Sequence, residues 1–299
     1  MGCPIEMTPN DGWDPRVKVL QYSDLVTVFG IVTKRYLVLV DTLLNAPMAG
    51  EAIDLMSEDL KGRELLVINT HADWDHAWGN GCFAGDSAPH PAPILAHPLC
   101  RQRMESAEEW AVLAKKKIEE PDLYGSVRLV PPTITVNDGA EIHTGDLTLR
   151  IVATPGHRAD HIAVFIPEIP ALLAGDAAEY PLPFVDSDVT YTQMRSSLVR
   201  MKSLAARQVF YCHAVGRYDD SVINLNLAYF DEVESRIAEA AHQKPPLDTS
   251  LRDDELARRI GFTWDDACAQ FHFATSQQEF YRGAHRTAVR AAVEARLRR

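Results

Sequence analysis

Four side chains that can bind a metal ion lie within six residues of one another, directly after a strongly apolar run. Residues 64–69 (ELLVIN) have the pattern of a buried β-strand, and the next residues supply His71, Asp73, Asp75 and His76. Two aspartates and two histidines side by side are costly to bury unless they share a cationic partner or face open solvent. The chain must therefore end this strand at the edge of a sheet, and we expect the loop there to bind metal.

The rest of the chain divides into a part that mixes strands with helices and a part that is helical. Strands are predicted within 17–41 (three strands) and at 64–69, 94–96, 134–136, 147–152, 162–166, 171–173 and 208–212, with helices at 48–61, 98–119 and 191–206. After about Ser221 the strand signal stops, and helices are predicted at 223–242, 252–260 and 277–298. We therefore predict an α/β catalytic domain over residues 1–220 and an α-helical extension over 221–299 that packs on it.

The composition limits the kinds of partner that this chain can have. The formal charge of -12, from 42 acidic and 30 basic residues, argues against nucleic acid, so we expect a small-molecule substrate. No stretch approaches the roughly 18 consecutive apolar residues of a membrane span, and no membrane partner is expected. Five cysteines without a CxxC pair favour free thiols in the cytoplasm. A homodimer is left open.

Three later segments each place a histidine or an aspartate just after a strand-like run. They are ATPGH, ending at His157, LAGD, ending at Asp176, and YCH, ending at His213. Taken alone, each segment is more typical of a turn or a cap than of a metal site. Together with residues 71–76, and in this order, they resemble the ligand motifs of the metallo-β-lactamase superfamily. The resemblance covers about residues 17–220.

The resemblance implies both a fold and a metal centre. The implied fold is an α/β, four-layer αββα metallo-β-lactamase sandwich of two similar halves, to which the C-terminal helical extension is added. Carried over by position, the ligands of one metal are His71, Asp73 and His157, those of a second are Asp75, His76 and His213, and Asp176 bridges the two.

A centre of this kind has a direct route to hydrolysis. Two divalent metals about 3.5–4 Å apart share a bridging hydroxide, which attacks a carbonyl carbon or a phosphorus while one metal stabilises the oxyanion. Asp75 is the candidate to orient the attacking water or to shuttle its proton. Tyr180 is the candidate to donate a hydrogen bond to the substrate oxyanion, as a loop tyrosine does in similar lactonases; otherwise it packs the loop.

Asp73 departs from the commoner family pattern, His-x-His-x-Asp-His, which has a histidine at this position. With three carboxylates and a hydroxide, two divalent metals form a neutral core, whereas the two-carboxylate set leaves one positive charge. Oxygen ligands also shift metal preference from zinc toward iron or manganese. The superfamily's flavodiiron oxidoreductases have a carboxylate at the same position, although residues after 220 leave no room for a flavodoxin-like domain. Alternatively, Asp73 is a weak or indirect ligand of a zinc or mixed-metal hydrolase.

We therefore predict a metal-dependent hydrolase of a small ester, lactone or thioester, with two divalent metal ions. Zinc is the favoured metal, and iron and manganese are the alternatives. A non-flavin iron-dependent oxidoreductase and a catalytically silent metal-binding protein are the alternative functions.

Neighbouring residues are open to simpler interpretations. His161 either supports a ligand or fills the turn after His157, and we favour the turn. Cys212 is expected to point to the opposite face from His213 and so into the core. Trp74 and Trp78 either line a substrate pocket or exclude water from the metal site.

Overall fold

The structure, a computed structural model, describes residues 4–185, 187–242 and 247–298. The chain divides into two compact units that are interleaved in sequence. The sheet unit contains the chain up to Ala153 together with Asp160–Gly175 and Gln208–Tyr218. The helical unit contains Thr154–Ala159, Asp176–Arg207 and the chain from Asp219 onward. The predicted division at residue 220 stays a prediction.

The larger sheet of the sheet unit carries the predicted metal ligands of residues 71–76. In spatial order its strands are β1 (Ile5–Thr8), β2 (Val17–Tyr22), β3 (Val26–Val32), β4 (Tyr36–Val40), β5 (Glu64–Ile68), β6 (Ile94–Ala96) and β7 (Ile134–Thr135). Strands β1 to β4 form an antiparallel meander, and β4 to β7 pair in parallel. Val40 lies opposite Ile68, so the residues that follow β4 and β5 leave the sheet at the same edge.

The smaller sheet runs in the order β12-β11-β10-β9-β8. Its strands are β8 (Glu141–His143), β9 (Thr148–Ala153), β10 (Ile162–Ile166), β11 (Ala171–Gly175) and β12 (Gln208–Tyr211). Every residue of β10 and β11 is buried, in keeping with their continuous apolar sequences. The two sheets share one hydrophobic core, in which the rings of Phe29 and Phe210 lie 5.3 Å apart. The strands predicted from residue 17 to 212 are therefore present, whereas β1 and β8 were not predicted.

The sheet unit also contains α1 (Ala46–Leu55), α2 (Ser57–Leu60), α3 (Pro98–Met104), α4 (Ala107–Glu119) and α5 (Pro121–Tyr124), with a 3₁₀ turn at Trp78–Cys82. The stretches predicted to be helical at 48–61 and 98–119 each contain two helices. Ser106 starts α4 as its N-cap by accepting a hydrogen bond from the Glu109 amide, which ends continuity with α3.

The helices of the helical unit are α6 (Asp188–Ser203), α7 (Ser221–Ala240), α8 (Asp253–Arg259), α9 (Trp264–Phe271) and α10 (Gln278–Leu297). The predicted helical C-terminal region is confirmed, and α9, which Thr263 caps, was not predicted. The predicted helix at 191–206 begins and ends three residues earlier. Among the described helices, none combines the length and the apolarity needed to cross a bilayer.

Candidate metal centre

The sheet unit brings the histidines and aspartates of residues 71–76 together at the edge where β5 ends. His71, Asp73, Asp75 and His76 are all buried. His71 Nε2 lies 3.6 Å from Asp73 Oδ2, and His76 Nε2 lies 3.6 Å from Asp75 Oδ2. His213, just beyond β12, joins this cluster with its Nε2 3.5 Å from the same Asp75 oxygen. Ligand atoms of Asp75, His76 and His213 all lie within 4.8 Å of one another.

The other ring nitrogen of each of these histidines has a defined acceptor or donor. Asp41 Oδ2 lies 2.8 Å from His76 Nδ1 and accepts a 2.8 Å hydrogen bond from Thr70 Oγ1. Because the Thr70 hydroxyl proton is used in that bond, Thr70 Oγ1 accepts from His71 Nδ1, 2.9 Å away. The two rings therefore carry their protons on Nδ1, and Nε2 is the atom left with a lone pair for a metal.

His213 is held in the same tautomer by a backbone group. Its Nδ1 lies 2.7 Å from the carbonyl oxygen of Leu25, which can only accept a hydrogen bond. Nδ1 therefore carries the proton, and Nε2 faces Asp75.

The helical unit brings His157 and Asp176 together and adds Glu179. His157 Nε2 lies 3.6 Å from Asp176 Oδ2, and His157 Nδ1 lies 3.3 Å from Glu179 Oε1. The buried side chain of Asn226, on α7, holds the backbone of Glu179. It accepts a hydrogen bond from the Glu179 amide at 3.1 Å and donates one to the Glu179 carbonyl at 2.8 Å. His157 thus has a carboxylate on each side of its ring, as His76 does.

An arginine from α3 enters the cluster of the sheet unit. Arg103 contacts Asp73 Oδ1, lies 3.3 Å from Glu109 Oε2 and lies 3.8 Å from Asp160 Oδ1. Burial would lower the pKa of Arg103, but the three surrounding carboxylates outweigh burial and raise it, so the guanidinium stays charged. Burial raises the pKa of Asp160 and of Glu109, and Arg103 opposes this shift in both.

These residues fit divalent cations in spacing, in ligand type and in charge. Ligand atoms of a tetrahedral zinc, each about 2.0–2.2 Å from the metal, are roughly 3.3–3.6 Å apart, close to the Nε2-to-carboxylate distances found here. In the described part of the sheet unit, the carboxylates buried around the histidines are those of Asp41, Asp73, Asp75, Glu109 and Asp160. One guanidinium contacts three of them, so the cluster has an excess of negative charge that favours bound cations.

The predicted catalytic tyrosine is held by a loop of the helical unit. Tyr180 Oη accepts a hydrogen bond from the Ala274 amide at 3.1 Å, and its ring meets that of Phe273 edge-on. His161 is buried in the sheet unit beside Gly175, where a Cβ would lie 2.7 Å from its Nε2.

The two tryptophans and Cys212 have structural contacts. The Trp78 indole is buried and donates to Glu109 Oε1 at 3.1 Å, while Lys116 lies 3.9 Å above the Trp74 ring. Cys212 is buried in the core with its thiol 3.9 Å from Asp41 Oδ2.

Asp41, Arg103, Glu179 and Asp160 were missed as site residues. The sequence held a signal for Asp41, because this residue directly follows the apolar run YLVLV. His71 likewise comes shortly after the apolar run LLVI. Asp160 and Glu179 stand three residues from His157 and from Asp176, but that spacing alone selects neither of them. Nothing in the sequence pattern of α3 singles out Arg103 from Arg101.

Hydroxyacylglutathione hydrolases and a protein named after them are similar in sequence to part of this chain. A human hydroxyacylglutathione hydrolase-like protein is 26% identical over 186 residues, which is 59% of this chain and 54% of that protein. The hydroxyacylglutathione hydrolase of Rhodopseudomonas palustris strain BisB18 is 27% identical over 207 residues, 61% of this chain and 78% of the enzyme. The chain thus spans about half the length of the human relative.

Solved structures confirm the predicted fold class. A metallo-beta-lactamase family protein from Thermus thermophilus superposes with a TM-score of 0.61 at 19% identity, covering 98% of this chain and 92% of that one. The inverting sec-alkylsulfatase of a Pseudomonas species gives a TM-score of 0.67 at 17% identity, covering 94% of this chain and 49% of that one. At these identities the likeness concerns the fold alone.

The family match covers most of the region in which the motifs were found. The model of the metallo-beta-lactamase superfamily matches residues 24–213, which is more than half of the chain and includes every predicted metal ligand. The prediction of an enzyme, a metallo-β-lactamase-fold hydrolase, is confirmed at the level of this family. The chain belongs to the metallo-β-lactamase superfamily.

Proposed function

We propose that this protein is a metal-dependent hydrolase that cleaves a small ester, lactone or thioester. One observation carries the proposal: each of the predicted histidine ligands has its Nδ1 next to a protein oxygen and its Nε2 next to the carboxylate of another predicted ligand. Histidines that only fill a core need no such uniform orientation, whereas metal-binding histidines do.

The full ligand set is part of the proposal. We infer that His71, Asp73, Asp75, His76, His157, Asp176 and His213 together hold two divalent metals, and that zinc is the metal in the cell. Bound divalent cations would lower the pKa of a water and polarise the substrate carbonyl.

Two side chains of the protein are assigned to the remaining steps of hydrolysis. Asp75 Oδ2 lies 3.6 Å from His76 Nε2 and 3.5 Å from His213 Nε2, among the lone pairs that face the proposed metal, so its carboxylate is the group that we assign to orient the attacking water and to accept its proton. Tyr180 is oriented through its oxygen by the Ala274 amide, and it directs its hydroxyl proton to the oxyanion that forms on the substrate.

A thioester is the first substrate class to test. The curated relatives named above are hydroxyacylglutathione hydrolases or are named after them, which supports this choice without settling it. Lactones and carboxylic esters present the same carbonyl carbon to the same nucleophile, so they belong in the same panel. A sulfate ester is added because a structural neighbour is an alkylsulfatase.

The decisive experiment measures metal content and hydrolysis on one preparation. Protein purified without added metal is analysed for zinc, iron and manganese and assayed with a thioester, a lactone, a carboxylic ester and a sulfate ester. We expect two metal ions per chain and turnover of at least one carbonyl substrate, both lost in Asp75→Asn or after chelation. Filled metal positions with no turnover on the panel would favour the silent metal-binding protein, and iron with visible absorbance would favour the oxidoreductase.

The proposed location is the cytoplasm. Cys82, Cys100 and Cys212 are buried free thiols, and Cys268 is a partly buried one; Cys3 lies outside the described residues. Burial, with a smaller contribution from Asp54, raises the pKa of Cys82 to about 11, so this thiol stays protonated and inert at neutral pH.

A further inference from the structure

Asp73 uses its two carboxylate oxygens for different partners. Oδ2 lies 3.6 Å from His71 Nε2, on the side where the metal ligands converge. Oδ1 contacts the Arg103 guanidinium. The residue that departs from the usual family pattern is thus also the residue that is paired with a half-buried arginine.

We propose that Arg103 is a positioning residue for the metal site, which holds Asp73 with one oxygen toward the metal and supplies the positive charge that the Asp-for-His exchange removes. The inference rests on the proposed function, because it assumes that the site binds metal.

The charge argument follows from the ligand types. A histidine ligand is neutral, whereas an aspartate ligand brings one negative charge to the centre. Asp73 and Arg103 taken as a pair are neutral, so the pair presents the metal with the same net charge as the histidine of the commoner pattern. Arg103 thus adds one positive charge beside the neutral core expected from the three-carboxylate ligand set, and it shares that charge with Glu109 and Asp160.

The positioning argument follows from how the guanidinium is held. Glu109 of α4 lies 3.3 Å from Arg103 Nε, and the same carboxylate accepts a hydrogen bond from the Trp78 indole. Asp160 lies 3.8 Å from Arg103 Nη1, and it accepts a 2.8 Å hydrogen bond from the Ala72 amide, next to Asp73 in the chain. Carboxylates from separate segments thus orient one planar fork, and the fork orients Asp73.

A simpler interpretation is that Arg103 only stabilises the fold through Glu109 and Asp160. The two interpretations differ in what happens when Asp73 and Arg103 are changed together. If Arg103 is only structural, the losses caused by the two substitutions add. If it acts through Asp73, changing Asp73 to the histidine of the commoner pattern removes the need for it.

The test is a double-mutant cycle read out as metal affinity. Wild type, Arg103→Met, Asp73→His and the double variant are stripped of metal, and zinc affinity is measured by competition with a chromophoric chelator. We expect each single variant to bind zinc at least about tenfold more weakly than wild type, the size typical of lost outer partners of metal ligands. The double variant should recover to within roughly threefold of wild type.

Arg101→Met is the matched control, because it makes the same change at a neighbouring position of α3. Arg101 donates to the Pro132 carbonyl at 2.7 Å and pairs with Glu105, so we expect its zinc affinity to match wild type within about twofold. Unfolding of the metal-free proteins separates loss of fold from loss of metal. If Arg103→Met does not fold, Arg103→Lys keeps the charge but not the fork and should still weaken zinc binding.

Each outcome decides the inference. Unchanged zinc affinity in the Arg103 variants, or additive losses in the double variant, would overturn the role of Arg103 while leaving the proposed function intact. Wild-type protein that binds no divalent metal would overturn the proposed function itself.

Discussion

Replacing Asp41 with asparagine should weaken metal binding without touching a predicted ligand. Asp41 Oδ1 accepts a 2.7 Å hydrogen bond from the Thr70 amide, while Oδ2 accepts from Thr70 Oγ1 and from His76 Nδ1. Asparagine has the same shape, but its nitrogen can only donate. If that nitrogen takes the Oδ1 position, it faces the Thr70 N–H; if it takes the Oδ2 position, it faces the proton on His76 Nδ1.

Either orientation of the amide loses a hydrogen bond, and the free energy of that bond is lost from the metal-bound state. In the second orientation, the His76 proton moves to Nε2 and blocks the atom that faces Asp75. Loss of a hydrogen bond to a charged acceptor costs about 1.5–3 kcal/mol. Loss of such a partner of a metal-binding histidine weakens metal binding about 10- to 100-fold, which is roughly 1.4–2.7 kcal/mol. The two estimates agree, so we expect zinc affinity to fall within this range.

Chelator competition measures the affinity, and urea unfolding with and without zinc checks it independently. At a fixed free zinc concentration, the stabilisation by zinc should shrink by the same roughly 1.4–2.7 kcal/mol. Asp138→Asn is the matched control, because Asp138 is exposed and accepts a hydrogen bond from the Ala153 amide. An Asp41→Asn protein that binds zinc within about twofold of wild type would refute the proposed role of the Nδ1 partners.

Three further predictions concern the helical unit. Burial lowers the pKa of His285 to about 4; Arg286 adds to this shift, whereas the Phe262 carbonyl and the Asp266 carboxylate oppose it. The neutral ring therefore contributes its full stability above the unfolded pKa of ~6.5, and this contribution is lost as the pH falls toward 4. His285→Gln should therefore flatten the acid side of the stability curve by up to about 3 kcal/mol in urea unfolding, whereas the same change at exposed His242 should not. Gly156→Ala should destabilise the fold by about 1–3 kcal/mol in thermal unfolding, because its Cβ would lie 2.5 Å from Met194 Cα at a φ of 152°; an unchanged unfolding temperature would contradict this. Tyr180→Phe should lower kcat about 10- to 1000-fold with unchanged metal content, and an unchanged kcat would assign Tyr180 to packing.

The sequence predicts the clustering of site residues that lie within one loop, but it does not predict which residues meet when separate strands pair. His71 to His76 stand together in the chain, so their clustering could be predicted without knowing the sheet. Asp41 stands thirty residues before His71, and it reaches His76 because β4 pairs with β5 in parallel with Val40 opposite Ile68. That register is a property of the folded sheet, and no local pattern encodes it.

Arg103 shows a second limit of the same kind. Residues 98–119 have a helical pattern, in which Arg103 looks like one more solvated charge. The Ser106 cap divides this stretch into α3 and α4, which allows Arg103 of α3 and Glu109 of α4 to approach each other. A polar side chain six residues away along one uninterrupted helix would not face it in this way.

Because the two units are interleaved in sequence, a truncation cannot separate them at a single position of the chain. Residues 154–159 and 176–207, which supply His157 and Asp176, cluster with the chain after Asp219. A fragment that ends near residue 220 would keep both predicted ligands in its sequence and lose the helices around them, including the Asn226 that fixes Glu179. Substitutions on α7, in the last third of the chain, therefore have a route through Asn226 and Glu179 to the loop that follows Asp176.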